Sequence, residues 1–191
     1  GLLNIAVDMV DKFIKKGVIV STKGRHKSQE HEYKAHRSGT YKNFPLIILV
    51  NNGSASASEI VSGAVKDHKR GLLLGTKTFG KGSVQSLIPI ENNNTALKLT
   101  TAKYYTPSGT LIDKVGIEPD IKVDLTKKEV RELYKYLTMA DTTDIRTKDK
   151  KETFKDIEDN DDEGKFADVQ LSRAIDVMKG IRVYAKTTGT D

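Results

Sequence analysis

Pro45–Val50 reads PLIILV, and Asn51–Glu59 directly after it reads NNGSASASE. The first is an unbroken leucine and β-branched run, the pattern of a strand covered on both faces. The second is a turn of small polar residues. From Ala57 to about His68 the chain then carries Ile60, Val61, Ala64 and Val65 at helical spacing. Strand, turn and helix in that order point to an α/β layer structure. Such turns present side chains at a sheet edge, beside helix N–H donors that favour negative charge.

Downstream, Gly71–Gly75 (GLLLG) reads as another buried strand and Thr76–Gly82 as a Gly-rich loop. Val84–Ile90 and Ala96–Tyr105 alternate like strands around a turn at Asn92–Asn94. Thr106–Gly109 (TPSG) is a second turn, and Val115–Val123 is extended, interrupted by Pro119. Upstream, Leu2–Lys16 has the apolar spacing of a helix ended by Gly17, and Val18–Ser21 reads as a short strand. Thr22–Asn43 is polar, suggests a surface hairpin and loop, and holds three of the four His residues. The expected globular part is therefore 1–124. A helix is expected over 125–140 (Lys127–Met139 at its centre), a charged flexible linker over 141–165, and a final amphipathic helix over 166–184.

The 191 residues suffice for one good-sized domain with an appendage. No run approaches the ~20 apolar residues of a membrane helix. The chain opens on an apolar pattern with neither Met nor a charged leader, which suggests a fragment of something longer. The absence of Cys removes disulfides, Cys zinc sites and a Cys nucleophile from the options. A net charge of +6 and pI near 9.3 raise nucleic acid as a partner. The cations are scattered and aromatics are only 6%, so a solvated basic surface is the better reading and no nucleic acid is expected.

Two readings compete for Ser56. With Glu59 three residues on, it fits a capping box, in which hydroxyl and carboxylate satisfy the first helical amides. It also fits a serine nucleophile, although no G-x-S-x-G elbow is present. A nucleophile needs a base. His26, His31 and His36 lie in the polar segment, and His68 sits among Asp67, Lys69 and Arg70 at a helix end, so all four read as exposed structural residues. A lysine can serve where burial disfavours its charged form. Lys81, between Gly80 and Gly82 and flanked by apolar Phe79 and Val84, is the candidate, against the bland alternative of a solvated turn. Gly75–Lys81 also fits G-x-x-x-x-G-K, but Gly82 replaces the Ser/Thr of a P-loop and the following segment is strand-like. A penicillin-binding type of site would need Ser-x-x-Lys, and the third residue after Ser56 is Glu59.

Taken together, SASASE (54–59), FGKG-x-VQ (79–85), Y-x-TPSG (104–109) and G-I-x-PD (116–120) resemble the C-terminal processing (tail-specific) serine proteases. The resemblance covers about residues 1–124, and DVQLSRA (168–174) resembles that family's terminal helix. It implies a crotonase-like core, incomplete at its N-terminus, with a C-terminal helical extension. It implies a Ser/Lys dyad of Ser56 as nucleophile and Lys81 as base, 25 residues apart, with Gln85 helping to orient the lysine. Positions 81 and 85 would share one face of a strand. The oxyanion donors would be the amides of Ala57 and Gly1. The family has an Asn-x-Gly-Gly turn, core strands and a PDZ domain ahead of this region, and here the sequence begins at the last glycine. Losing one oxyanion donor lowers rates about 10²–10³-fold, so an impaired fragment acting as a binding module is the rival reading. The implied substrates are proteins or peptides engaged through their C-termini, with no metal or cofactor. The implied setting is the bacterial cell envelope or periplasm. Association into a homo-oligomer would run through the terminal helix.

Overall fold

The computed structural model describes residues 1–36, 38–41, 44–90, 95–142 and 167–189. The order of elements is α1 (Leu3–Asp11), β1 (Gly17–Gly24), a short 3-10 turn (Lys27–Gln29), β2 (His31–Ala35), β3 (Ile47–Val50), α2 (Ala57–Asp67), β4 (Leu72–Gly75), β5 (Ser83–Ile90), β6 (Thr95–Tyr105), β7 (Ile121–Lys122), α3 (Lys127–Thr142) and α4 (Val169–Thr188). The fold is mixed α/β. An antiparallel sheet runs β2-β1-β6-β5, and a parallel sheet runs β3-β4-β7.

The two apolar runs form the parallel pair, with Ile47 opposite Leu72 and Val50 opposite Gly75. Leu73 and Leu74 on β4 are fully buried, as expected of a central strand. β3 departs from the expectation of burial on both faces, because it borders only β4 and leaves Leu49 exposed. The crossover helix α2 buries Ile60, Ala64 and Val65. Each larger apolar side chain so buried contributes about 1.5–3 kcal/mol. Ile60 and Ala64 join Ala6 and Val10 of α1, Ile19 of β1 and Tyr104 of β6 in one core that ties both sheets together.

α1 stops at Asp11, not at Lys16. Its last turn tightens at Lys12 and Phe13, whose amides bond Met9 and Val10 carbonyls. Arg70 then holds the chain by donating to the Phe13 and Phe44 carbonyls at 3.0 and 2.9 Å, with its guanidinium against both rings. His68 is half-buried and bonds the Val18 carbonyl at 2.7 Å, so it serves packing. α2 ends in a left-handed residue, Lys69 (φ 51°), with the Arg70 amide reaching back to the Val65 carbonyl.

Within 115–123 only Ile121–Lys122 joins a ladder, beside β4. Pro119 has no N–H to give, and the Asp120 carboxylate instead accepts from the Leu73 amide and pairs with Lys66. α3 begins after Thr126, whose amide and hydroxyl both donate to the Glu129 carboxylate. α4 begins three residues later than expected, because Asp168 caps it through the Leu171 amide. Gln170 fastens α4 to the Val123 carbonyl at 2.8 Å. The expected turn at Asn92–Asn94, the bulk of the expected linker and Phe166 lie outside the described residues. Among the described residues no helix is long and apolar enough to cross a membrane.

Candidate active site

The turn after β3 is built by Asn51. Its side-chain oxygen accepts from the Gly53 amide at 2.8 Å, and its carbonyl accepts from the Ser54 amide at 2.9 Å. The Ser54 hydroxyl closes the turn by accepting from the Asn51 amide. Ser54 is thereby used structurally, while Ser58 lies inside the first turn of α2. Ser56 precedes that helix with φ 57° and ψ −114°, a left-half conformation that is strained for any residue with a Cβ. Its hydroxyl makes no capping hydrogen bond, and the Glu59 amide donates to the Ser56 carbonyl at 2.9 Å. Both halves of the expected capping box are in place, the Ser56 hydroxyl facing the Glu59 amide, and the firm bond is the one from the Ser56 amide to Glu59 Oε2 at 2.9 Å.

Glu59 is fully buried and accepts four donors. Oε2 accepts from the amides of Ser56 (2.9 Å) and Lys81 (2.7 Å). Oε1 accepts from the Thr78 hydroxyl and the Gly80 amide, both at 2.6 Å. The backbones at 56 and 81 therefore sit two hydrogen-bond lengths apart across a single oxygen atom. The Phe79 amide adds a third link to the Ser54 carbonyl at 3.0 Å.

The glycines around Lys81 follow from what lies beneath the loop. Gly80 has φ 87°, and a Cβ there would press on the backbone of Lys114–Gly116. A Cβ on Gly82 would fall 2.2 Å from the Asp113 amide nitrogen. The same stacking lets the Gly80 carbonyl accept from Lys114 and the Gly82 carbonyl accept from Tyr104, both at 2.7 Å. Burial pushes the Tyr104 phenol above its ordinary range, with Tyr33 adding to the effect, so this packing stays uncharged at neutral pH.

Two expectations are corrected here. The Lys81 side chain is exposed, not shielded, and Phe79 beside it is 66% exposed. Only the Lys81 backbone is fixed, and among the described residues no hydrogen bond joins its ammonium to Ser56. The expected sharing of one strand by Lys81 and Gln85 also fails: β5 starts at Ser83, two residues after the lysine, and the unpaired residue of the β5–β6 bulge is Thr101 on β6. Gln85 is exposed.

Ala57 opens α2, so its amide is among those the helix leaves unpaired. Gly1 lies against it, close enough that a Cβ on Gly1 would meet Ala57 Cβ at 2.8 Å. Both border a cleft of about 320 Å³ lined also by Ile5, Ile48, Ser54 and Val61. The structure thus brings Ser56 and Ala57 together with Gly1, and brings the Lys81 backbone to Ser56. Among the described residues no hydrogen bond links Gln85 or a histidine to Ser56, Ala57 or Lys81. Among the described residues no group of acidic or histidine side chains gathers as a metal would require.

Glu59 as a shared acceptor, and Thr78 behind it, escaped the sequence reading. The available signal was an acidic residue within the apolar run EIVSGAV (59–65), one turn from Ser62 and Gly63 on the buried side of α2.

The structure sets a serine at positive φ in a strand-to-helix turn, beside the first amides of α2 and a glycine-flanked lysine loop. The chain belongs to peptidase family S41, whose family model matches residues 1–123. It is 52% identical over 124 residues to the carboxy-terminal-processing protease of Bartonella bacilliformis, covering 65% of this chain and 28% of that one. It is 41% identical over 124 residues to the carboxyl-terminal-processing protease of Synechocystis, again 65% of this chain and 28% of that one. Among solved structures it resembles the photosystem II D1 C-terminal processing protease, with a TM-score of 0.59 and 36% identity over 65% of this chain and 32% of that one. The chain thus spans less than a third of the length of these relatives.

Proposed function

We propose that this chain carries the catalytic centre of a serine endopeptidase that cleaves protein substrates near their C-termini. In this reading residues 1–124 are the protease part, with a crotonase-like arrangement, and the later helices are an appendage. Ser56 is the nucleophile and Lys81, in its neutral form, takes the hydroxyl proton. Ser56 Oγ bonds to the scissile carbonyl carbon. The oxyanion is held by the Ala57 amide and, in a chain where a residue precedes Gly1, by the Gly1 amide. Lys81 returns the proton to the departing amine, and water then hydrolyses the acyl-enzyme. Because Lys81 is exposed, a substrate seated over the loop supplies the desolvation that favours the neutral amine. Gln85, four residues on, helps to orient the lysine. No metal or cofactor enters the scheme.

The observation that supports this reading most is the pair of amides, Ser56 and Lys81, on one carboxylate oxygen. The family resemblance further suggests an envelope or periplasmic setting and self-association through the terminal helix.

The test uses the natural full-length protein and a peptide ending in a free carboxylate. Ser56→Ala and Lys81→Ala should each abolish cleavage, with the fold unchanged by circular dichroism. Full cleavage by Lys81→Ala would sink the dyad.

A further inference from the structure

We infer that Glu59 is the positioning residue of this site, setting the separation and register of nucleophile and base; the inference rests on the Ser56–Lys81 reading. Helix capping accounts for only one of its four hydrogen bonds, the one from the Ser56 amide. The other three come from the lysine loop: the Thr78 hydroxyl and the amides of Gly80 and Lys81. A residue that merely capped α2 would have no reason to face that loop, nor to be wholly buried.

The two oxygens divide the work. Oε2 is shared between positions 56 and 81, so any shift of one loop against the other stretches a bond to this atom. Oε1 anchors the carboxylate itself. The Thr78 hydroxyl accepts from the Ile117 amide at 2.8 Å, which turns its own proton onto Oε1. The Thr78 amide in turn donates to the Ile117 carbonyl at 3.1 Å. The G-I-x-PD segment thereby steadies the clamp from behind. With the Lys81 side chain exposed, the backbone is the part of the base that hydrogen bonds fix among the described residues, and Glu59 fixes it relative to the strained Ser56.

Only an ionised carboxylate satisfies four converging donors. Glutamine has the same shape but one oxygen, and its NH₂ would face N–H groups. Glu59→Gln is therefore the diagnostic variant, assayed in the natural full-length protein. The expected result is a kcat about 10²–10³-fold lower with KM changed less than about threefold. The rate at which a fluorophosphonate labels Ser56 should fall in parallel. Thr78→Val should lower kcat about tenfold, and Thr78→Ser should restore it. A purely structural role would instead lower the melting temperature and leave kcat intact at temperatures where the variant is folded.

A folded Glu59→Gln with kcat within threefold of wild type overturns the inference. So does a loss confined to KM. If Glu59→Gln does not fold, the Thr78 pair decides: an unchanged Thr78→Val, or a Thr78→Ser as slow as Thr78→Val, overturns it. Should Ser56→Ala or Lys81→Ala keep full activity, the dyad itself falls. Should both abolish cleavage while Glu59→Gln and Thr78→Val do not, the clamp alone falls.

Discussion

The same four-residue pattern, hydroxyl-x-x-glutamate, opens two helices of this chain: Ser56–Glu59 before α2 and Thr126–Glu129 before α3. At α3 the motif is self-contained. The Thr126 amide and hydroxyl both donate to Glu129 at 2.7 Å, the Glu129 amide leans back on the hydroxyl at 3.3 Å, and everything faces water. At α2 the serine hydroxyl faces the cap without a firm hydrogen bond, its backbone is turned to φ 57°, and the buried glutamate serves a loop more than twenty residues away. The pattern alone does not tell a cap from a catalytic junction. What separates them is burial of the acid and the origin of its remaining donors.

The largest expected difference is in stability. Glu59→Ala leaves four donors without a partner in the interior and should cost about 3–5 kcal/mol by urea denaturation. A loss no greater than that of an ordinary cap would erase the contrast. Thr126→Ala should cost about 1 kcal/mol, confined to α3 and visible as faster amide exchange there with the core unaffected. Ser56→Gly sharpens the comparison from the other side. It removes the strain of a side chain at positive φ and should raise stability by about 0.5–1 kcal/mol while ending hydrolysis. A destabilised Ser56→Gly would mean that the serine is part of the cap after all.

The smallest effect is a pH effect. Hydrogen bonds from the Thr126 amide, and then from its hydroxyl, hold the Glu129 carboxyl below the usual carboxylate range. A depressed carboxyl contributes stability above the unfolded value, and that contribution is lost as pH falls through the folded value. Protection factors at the start of α3, with the intrinsic pH dependence of exchange divided out, should therefore fall at acid pH, and should not in Glu129→Gln.

Much of the architecture around the site was legible from residue order. PLIILV as a strand, the small-residue turn and the α2 stripe read correctly because apolar runs and helical spacing are local signals, and β4, β5 and β6 followed for the same reason, whereas the edge position that exposes Leu49 on β3 is not local. What failed was set by contacts distant in sequence. α1 ends early where Arg70, far along the chain, grips the Phe13 carbonyl. His68 is packed because β1 runs beside it. Lys81 does not share a strand with Gln85, because the Gly80–Gly82 loop is packed on Lys114–Gly116 and Asp113 and β5 starts only at Ser83. The flanking glycines read as permission for an enclosed lysine, whereas they serve the approach of the loop to Ile112–Gly116 beneath it, and the side chain itself faces solvent.

The most direct test of the dyad is covalent. A fluorophosphonate applied to the natural full-length protein, followed by peptide mass mapping, should place one adduct on Ser56 and none on Ser54 or Ser58, and labelling should collapse in Lys81→Ala. An adduct on another serine, or undiminished labelling of Ser56 without the lysine amine, would contradict the account.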